Sequence, residues 1–227
     1  MARTLREGGG VMSAYVKDDN LYLGTHTGAA AWDLRNGQKI KTFEGGHKDY
    51  IWSIVVDDSS VYTASSQNSI VQWSRESGRE IRRLDAPVPT SEDPAQCHVW
   101  AIDILGDSLY SGSSDGIARQ WDKEKGEVTN TFEGHTGWVT SLTLTRREAS
   151  DELYTGSADG TCRSWDCNTG GCTRVYDLQG MCVMSLRSPT SHPERAHLRT
   201  VKYDTDMLAG ILTAHFTRVV HAVTWWG

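Results

Sequence analysis

Residues 153–166, LYTGSADGTCRSWD, constrain this chain most, because the stretch recurs. It reads as two short strands about a tight turn. Leu153, Tyr154 and Thr155 open the first strand, Asp159-Gly160 makes the turn, and residues 161–165 form the second. Gly tolerates positive φ and Asp bonds to its own backbone, so Asp-Gly between β-favouring runs is a hairpin signal. The pattern returns at 109–122 as LYSGSSDGIARQWD and at 61–74 as VYTASSQNSIVQWS. A shortened copy, LYLGTHTGAAAWD, occupies 21–33. A hairpin written four times makes the fold a repeat architecture.

A longer unit surrounds each hairpin. A short apolar strand precedes it, at 11–14, 51–54, 99–102, 139–142 and 183–186, with successive copies 40, 48, 40 and 44 residues apart. A fourth strand follows, at 39–43, 80–84, 128–132 and 173–176. Turns such as Asn36-Gly37, Ser77-Gly78, Lys125-Gly126 and Thr169-Gly170 join the third strand to the fourth. Four short strands in a unit of roughly 43 residues describe a β-propeller blade.

Gly134-His135, the turn Ser157-Ala158-Asp159-Gly160 and Trp165-Asp166 together resemble the WD40 repeat family. The resemblance covers roughly residues 11–187 and is strongest at 135–166. It implies an all-β WD40-type propeller, here with about four recognisable blades and a degenerate or truncated fifth, so that the ring is either closed by that last blade or left incomplete. It also implies a hydrogen-bonded tetrad of His, Ser or Thr, Asp and Trp in each blade. Carried over, the full set is His135, Ser157, Asp159 and Trp165. The second unit offers His47, Ser65 and Trp73, with Gln67 in place of Asp. The third offers Ser113, Asp115 and Trp121, with Ala95 where its His belongs, and the first retains only Thr25 and Trp32. Four buried polar groups that satisfy one another lock a blade, so the first three blades are expected to be less stable than the fourth.

Residues 85–98, DAPVPTSEDPAQCH, carry three prolines and read as an inserted loop between the second and third blades. The propeller domain is expected over 1–187, with a divergent segment at 188–227. There, residues from Leu208 to Trp226 follow helical spacing, and 219–226 fit a strand equally well. Five blades of this size would use the whole chain, and seven would need roughly 300 residues. The segment 3–8 resembles the fourth-strand segment 41–45 and is a candidate latch for the last blade.

No phosphate loop, nucleophile elbow or metalloprotease helix motif occurs. No catalytic residue, cofactor or metal site is expected. Cys162, Cys167, Cys172 and Cys182 contain no Cys-x-x-Cys pair and read as free thiols. A net charge of −6 argues against nucleic acid as the main partner. The charged, Gly-rich start and the odd cysteine count suit a cytoplasmic or nuclear setting, without a membrane partner.

The functional signal is aromatic. In the family, the residues flanking the first-strand Val point to the top face and touch partners. Here those pairs are Tyr50/Trp52, His98/Trp100, Trp138/Thr140 and Cys182/Met184. Tyr50, Trp52, His98, Trp100 and Trp138 are therefore expected to form one partner-binding surface. The leading expectation is a non-enzymatic scaffold that binds a protein or peptide, as an adaptor of ubiquitin-ligase or signalling type. A reader of methylated lysine in a histone-like tail is one rival, and a propeller enzyme with convergent channel carboxylates is another. The oligomeric state is left open.

Overall fold

The computed structural model describes residues 10–26, 28–87, 97–146, 150–178, 183, 185–187 and 197–199. Sixteen strands make four antiparallel four-stranded sheets. Blade one holds β1 (Val11–Lys17), β2 (Asn20–Thr25), β3 (Ala29–Asp33) and β4 (Lys39–Phe43). Blade two holds β5 (Ile51–Val56), β6 (Ser60–Ser65), β7 (Ser69–Ser74) and β8 (Glu80–Asp85). Blade three holds β9 (Val99–Leu105), β10 (Ser108–Ser113), β11 (Ala118–Asp122) and β12 (Val128–Phe132). Blade four holds β13 (Val139–Thr145), β14 (Glu152–Ser157), β15 (Thr161–Asp166) and β16 (Cys172–Asp177).

Each sheet is a simple meander. Its turns obey local chemistry. Gly116 and Gly160 sit at φ 79° and 84° at the tip of the second hairpin, and Asn68 adopts φ 53° at the same place in blade two. Asn tolerates this left-handed region better than any β-branched residue, so the turn survives there without glycine.

The blades stack in chain order through three apolar clusters. Phe43 and Tyr22 of blade one meet Ile51, Val61 and Trp73 of blade two. Leu84 and Tyr62 meet Val99, Leu109 and Trp121, and Phe132 and Tyr110 meet Val139, Leu153 and Trp165. The second strand must yield space to the next blade's first valine. A Cβ on Gly112 would stand 2.6 Å from a Val139 methyl, and one on Gly156 would stand 2.3 Å from a Val183 methyl. Val183 is wholly buried in that slot, as Val139 is in its own.

Beyond blade four, β17 (Ser185–Arg187) pairs with β18 (His197–Arg199) and packs on β13 and β14. This hairpin straddles the boundary expected between 187 and 188. Among the described residues the sheets do not close into a ring. The expected helix or strand at 208–226, the latch at 3–8, the Cys182/Met184 pair and most of the 85–98 loop lie outside the described residues.

Candidate top-face binding site

The site begins with an irregularity repeated in every blade. Pairing of the first strand with the second slips by one residue at the first strand's start. Val11 and Ser13, Ile51 and Ser53, Val99 and Ala101, and Val139 and Ser141 pair with consecutive partners. Met12, Trp52, Trp100 and Thr140 are thus the extra residues of four equivalent β-bulges. A bulge re-aims a side chain that simple alternation would send elsewhere. Ile51, Val99 and Val139 stay in the core at 0–1% exposure, while Trp52 and Trp100 are only half-buried.

The five expected residues meet in one row. Tyr50 and Trp52 have ring centroids 5.4 Å apart, Trp52 and Trp100 5.0 Å, and Trp100 and Trp138 5.6 Å with planes only 21° apart. His98 abuts Trp100 at 5.5 Å. His26, not anticipated from the sequence, extends the row onto blade one by an edge contact with Tyr50 at 4.5 Å. Its signal was present. His26 occupies the turn position of Ser66, Ser114 and Ala158, and a bulky side chain there reaches the neighbouring blade's loop.

Polar bonds pin the row from below. Trp52 Nε1 donates to Ser66 Oγ at 2.7 Å, and His98 Nδ1 donates to Ser66 O at 2.8 Å. Trp100 Nε1 is shut off from solvent, and no described group accepts its hydrogen. From Tyr50 to Trp138, neighbouring rings of the row stand 5.0–5.6 Å apart between centroids, so the row is a strip.

The tetrads lie beneath, and their hydroxyls differ from expectation. In blade four Trp165 Nε1 donates to Thr155 Oγ1 at 2.7 Å, and Thr155 Oγ1 meets His135 Nε2 at 2.8 Å. His135 Nδ1 donates to Asp159 Oδ2 at 2.8 Å. Ser157, expected in that role, instead donates to Gly137 O and accepts from Asp159 N in the turn. Register explains the correction. Trp165 pairs with Leu153, so Thr155 is its diagonal neighbour, whereas Ser157 is four residues along, roughly 13 Å away. Likewise Trp73 Nε1 donates to Thr63 rather than to Ser65, and Trp121 Nε1 donates to Ser111 rather than to Ser113, each at 2.8 Å.

Electrostatics follow the substitutions. Burial pushes the Asp159 carboxyl up, but donors on Thr161, His135 and Thr136 outweigh it and hold it at about 2. Burial lowers His135 despite that carboxylate, so a neutral imidazole donates. In blade two Gln67 spends its side-chain oxygen on Lys48 N, and His47 Nδ1 has no partner among the described residues. Burial, helped by the charge of Arg83, pulls His47 down to about 4 against its bond to Thr63. In blade three Asp115 does not join a relay. It pairs with Arg119 at 2.5 Å, both side chains nearly inaccessible. Arg119 also donates to Pro87 O, tying the start of the inserted loop to this pair.

Comparison with known proteins agrees with this geometry. Residues 91–122 and 126–166 match the family description "WD domain, G-beta repeat". A 63-residue stretch is 38% identical to eukaryotic translation initiation factor 3 subunit I of Meyerozyma guilliermondii, covering 27% of this chain and 18% of that protein. Among solved structures, the WD40 beta propeller domain of Doa1 superposes with TM-score 0.70 at 21% identity, over 88% of this chain and 62% of that one. The computationally designed Ika8 protein superposes with TM-score 0.68 at 23% identity, over 85% and 54%. The chain spans less than two thirds of each of these proteins.

Proposed function

From a chain whose third and fourth blades are WD40 repeats on a propeller fold, we propose a non-enzymatic scaffold that binds a protein segment across its top face. The observation that carries this is the continuous aromatic row from His26 to Trp138, set by bulges at equivalent positions. Large, half-exposed rings packed against one another offer burial to a partner at little cost in side-chain entropy. A relative named as a subunit of a translation factor supports a role inside an assembly. We place this chain, as an adaptor, among proteins that hold others together.

The row is one ring wide and made of touching rings, which suits an extended segment better than a helix, whose diameter is about 10 Å. Peptides selected by display against the whole chain test the reading. Trp138→Ala and Tyr50→Ala should weaken their binding by about 1–3 kcal/mol each while the protein stays folded. Selected peptides that bind both variants as tightly as the parent would overturn it.

A further inference from the structure

We infer that the segment taken by the top face is proline-rich, lying on the aromatic row as a polyproline II helix; this rests on the peptide-binding reading above. Three observations carry it. The first is shape. One turn of polyproline II rises about 9 Å, close to two ring-to-ring steps of 5.0 and 5.6 Å. Prolines on one side of such a helix thus recur at a spacing comparable to two ring steps. The second is hydrogen bonding. Proline offers a carbonyl and no N–H, so a polyproline segment asks its site for donors. The row's spare donor is Trp100 Nε1, which no described group accepts. An unmet buried donor costs about 1–3 kcal/mol, and a ligand carbonyl recovers it if binding turns the Trp100 indole N–H, covered in the free protein, toward the ligand. Trp52 Nε1 is already committed to Ser66 and provides the internal control.

The third is charge. A stacking platform for single-stranded nucleic acid needs a basic groove. This chain carries a net charge of −6, and Asp49 stands next to Tyr50 in the row. A preformed, uncharged, extended ligand with low ordering entropy fits the ring strip and is not repelled by the negative field.

The test uses the full chain and a fluorescein-labelled decaproline, with a Gly-Ser decamer of equal length as control, read by anisotropy. Decaproline should bind saturably and the Gly-Ser decamer should not. Tyr50→Ala and Trp138→Ala should each weaken decaproline at least roughly fivefold. Trp100→Phe, which keeps a ring and removes the N–H, should weaken it about five- to tenfold, and Trp52→Phe by less. No saturable binding of decaproline to the folded protein, or equal binding of the Gly-Ser decamer, overturns the proline assignment. The displayed-peptide selection separates the two claims. Proline-free peptides that depend on Trp138 would sink this inference and leave the peptide-binding reading standing. Peptides that ignore both Tyr50 and Trp138 would sink both.

Discussion

In blade four the Trp165 indole donates to Thr155, which leads on to His135 and Asp159. In blade one Leu23 stands where Thr155 stands, and the Trp32 indole N–H is buried without an acceptor among the described residues. Yet both rings are sequestered, at 1% and 8% exposure, and both sheets have the same four-stranded order. Ring burial therefore sets the blade, and the polar relay adds stability to a sheet already specified. Blades two and three lie between, with His47 lacking a carboxylate and Asp115 turned to Arg119. The aromatic row crosses these incomplete blades. Its placement depends on the bulges and on Ser66, and not on a finished relay.

The comparison is broken or sharpened most strongly at Thr155. Thr155→Val keeps the volume and strands both the Trp165 N–H and the His135 ring nitrogen. A loss of about 2–4 kcal/mol is expected in denaturant melts. A loss near zero would mean that the relay contributes nothing to blade four.

Next in size is a pH effect centred on His47 of blade two. The folded-state pKa of His47 lies at about 4, below its ordinary 6.5. The neutral form is therefore favoured on folding. Its contribution is complete above pH 6.5 and is lost as pH falls toward 4, by about 2–3 kcal/mol. Asp103 acts with the opposite sign in the same range. Burial raises its carboxyl to about 6 against bonds from Ile104 and Leu144. The two are separated by comparing the parent with His47→Gln between pH 7 and 4, where the variant should lose less stability on acidification. Parallel curves would remove His47 from the account of blade two.

A smaller effect is expected from Gln67→Asp, which gives His47 Nδ1 the partner that Asp159 gives His135. Stability should rise by about 1 kcal/mol, and the His47 titration followed by NMR should move up. The smallest lies in blade one. Leu23→Thr should be more stable than the isosteric Leu23→Val by about 0.5–1 kcal/mol, because only the threonine can accept from Trp32. Equal stability of the pair would show that a hydroxyl at that place does not reach the indole.

Much of this was legible in the sequence. The recurring hairpins placed the strands, and strict recurrence placed Tyr50, Trp52, His98, Trp100 and Trp138 at equivalent points, where the structure joins them. The relay hydroxyl was not legible from the motif alone. Thr155 and Ser157 share a face of β14, and only the pairing of Trp165 with Leu153 decides between them. The bulges were invisible because they are a property of two strands in register. Arg119 was overlooked because the tetrad pattern assigns no role to that position, although it stands four residues after Asp115 and can reach it.

The most direct measurement pairs binding with melting in two variants, Trp138→Ala on the top face and Trp165→Ala in the core. Trp138→Ala should lose roughly fivefold or more in peptide affinity with little change in its melt. Trp165→Ala should lose about 3–5 kcal/mol of stability through the cavity it leaves. If Trp138→Ala unfolds the protein as Trp165→Ala does, or binds the selected peptides unchanged, the top face is not the binding surface.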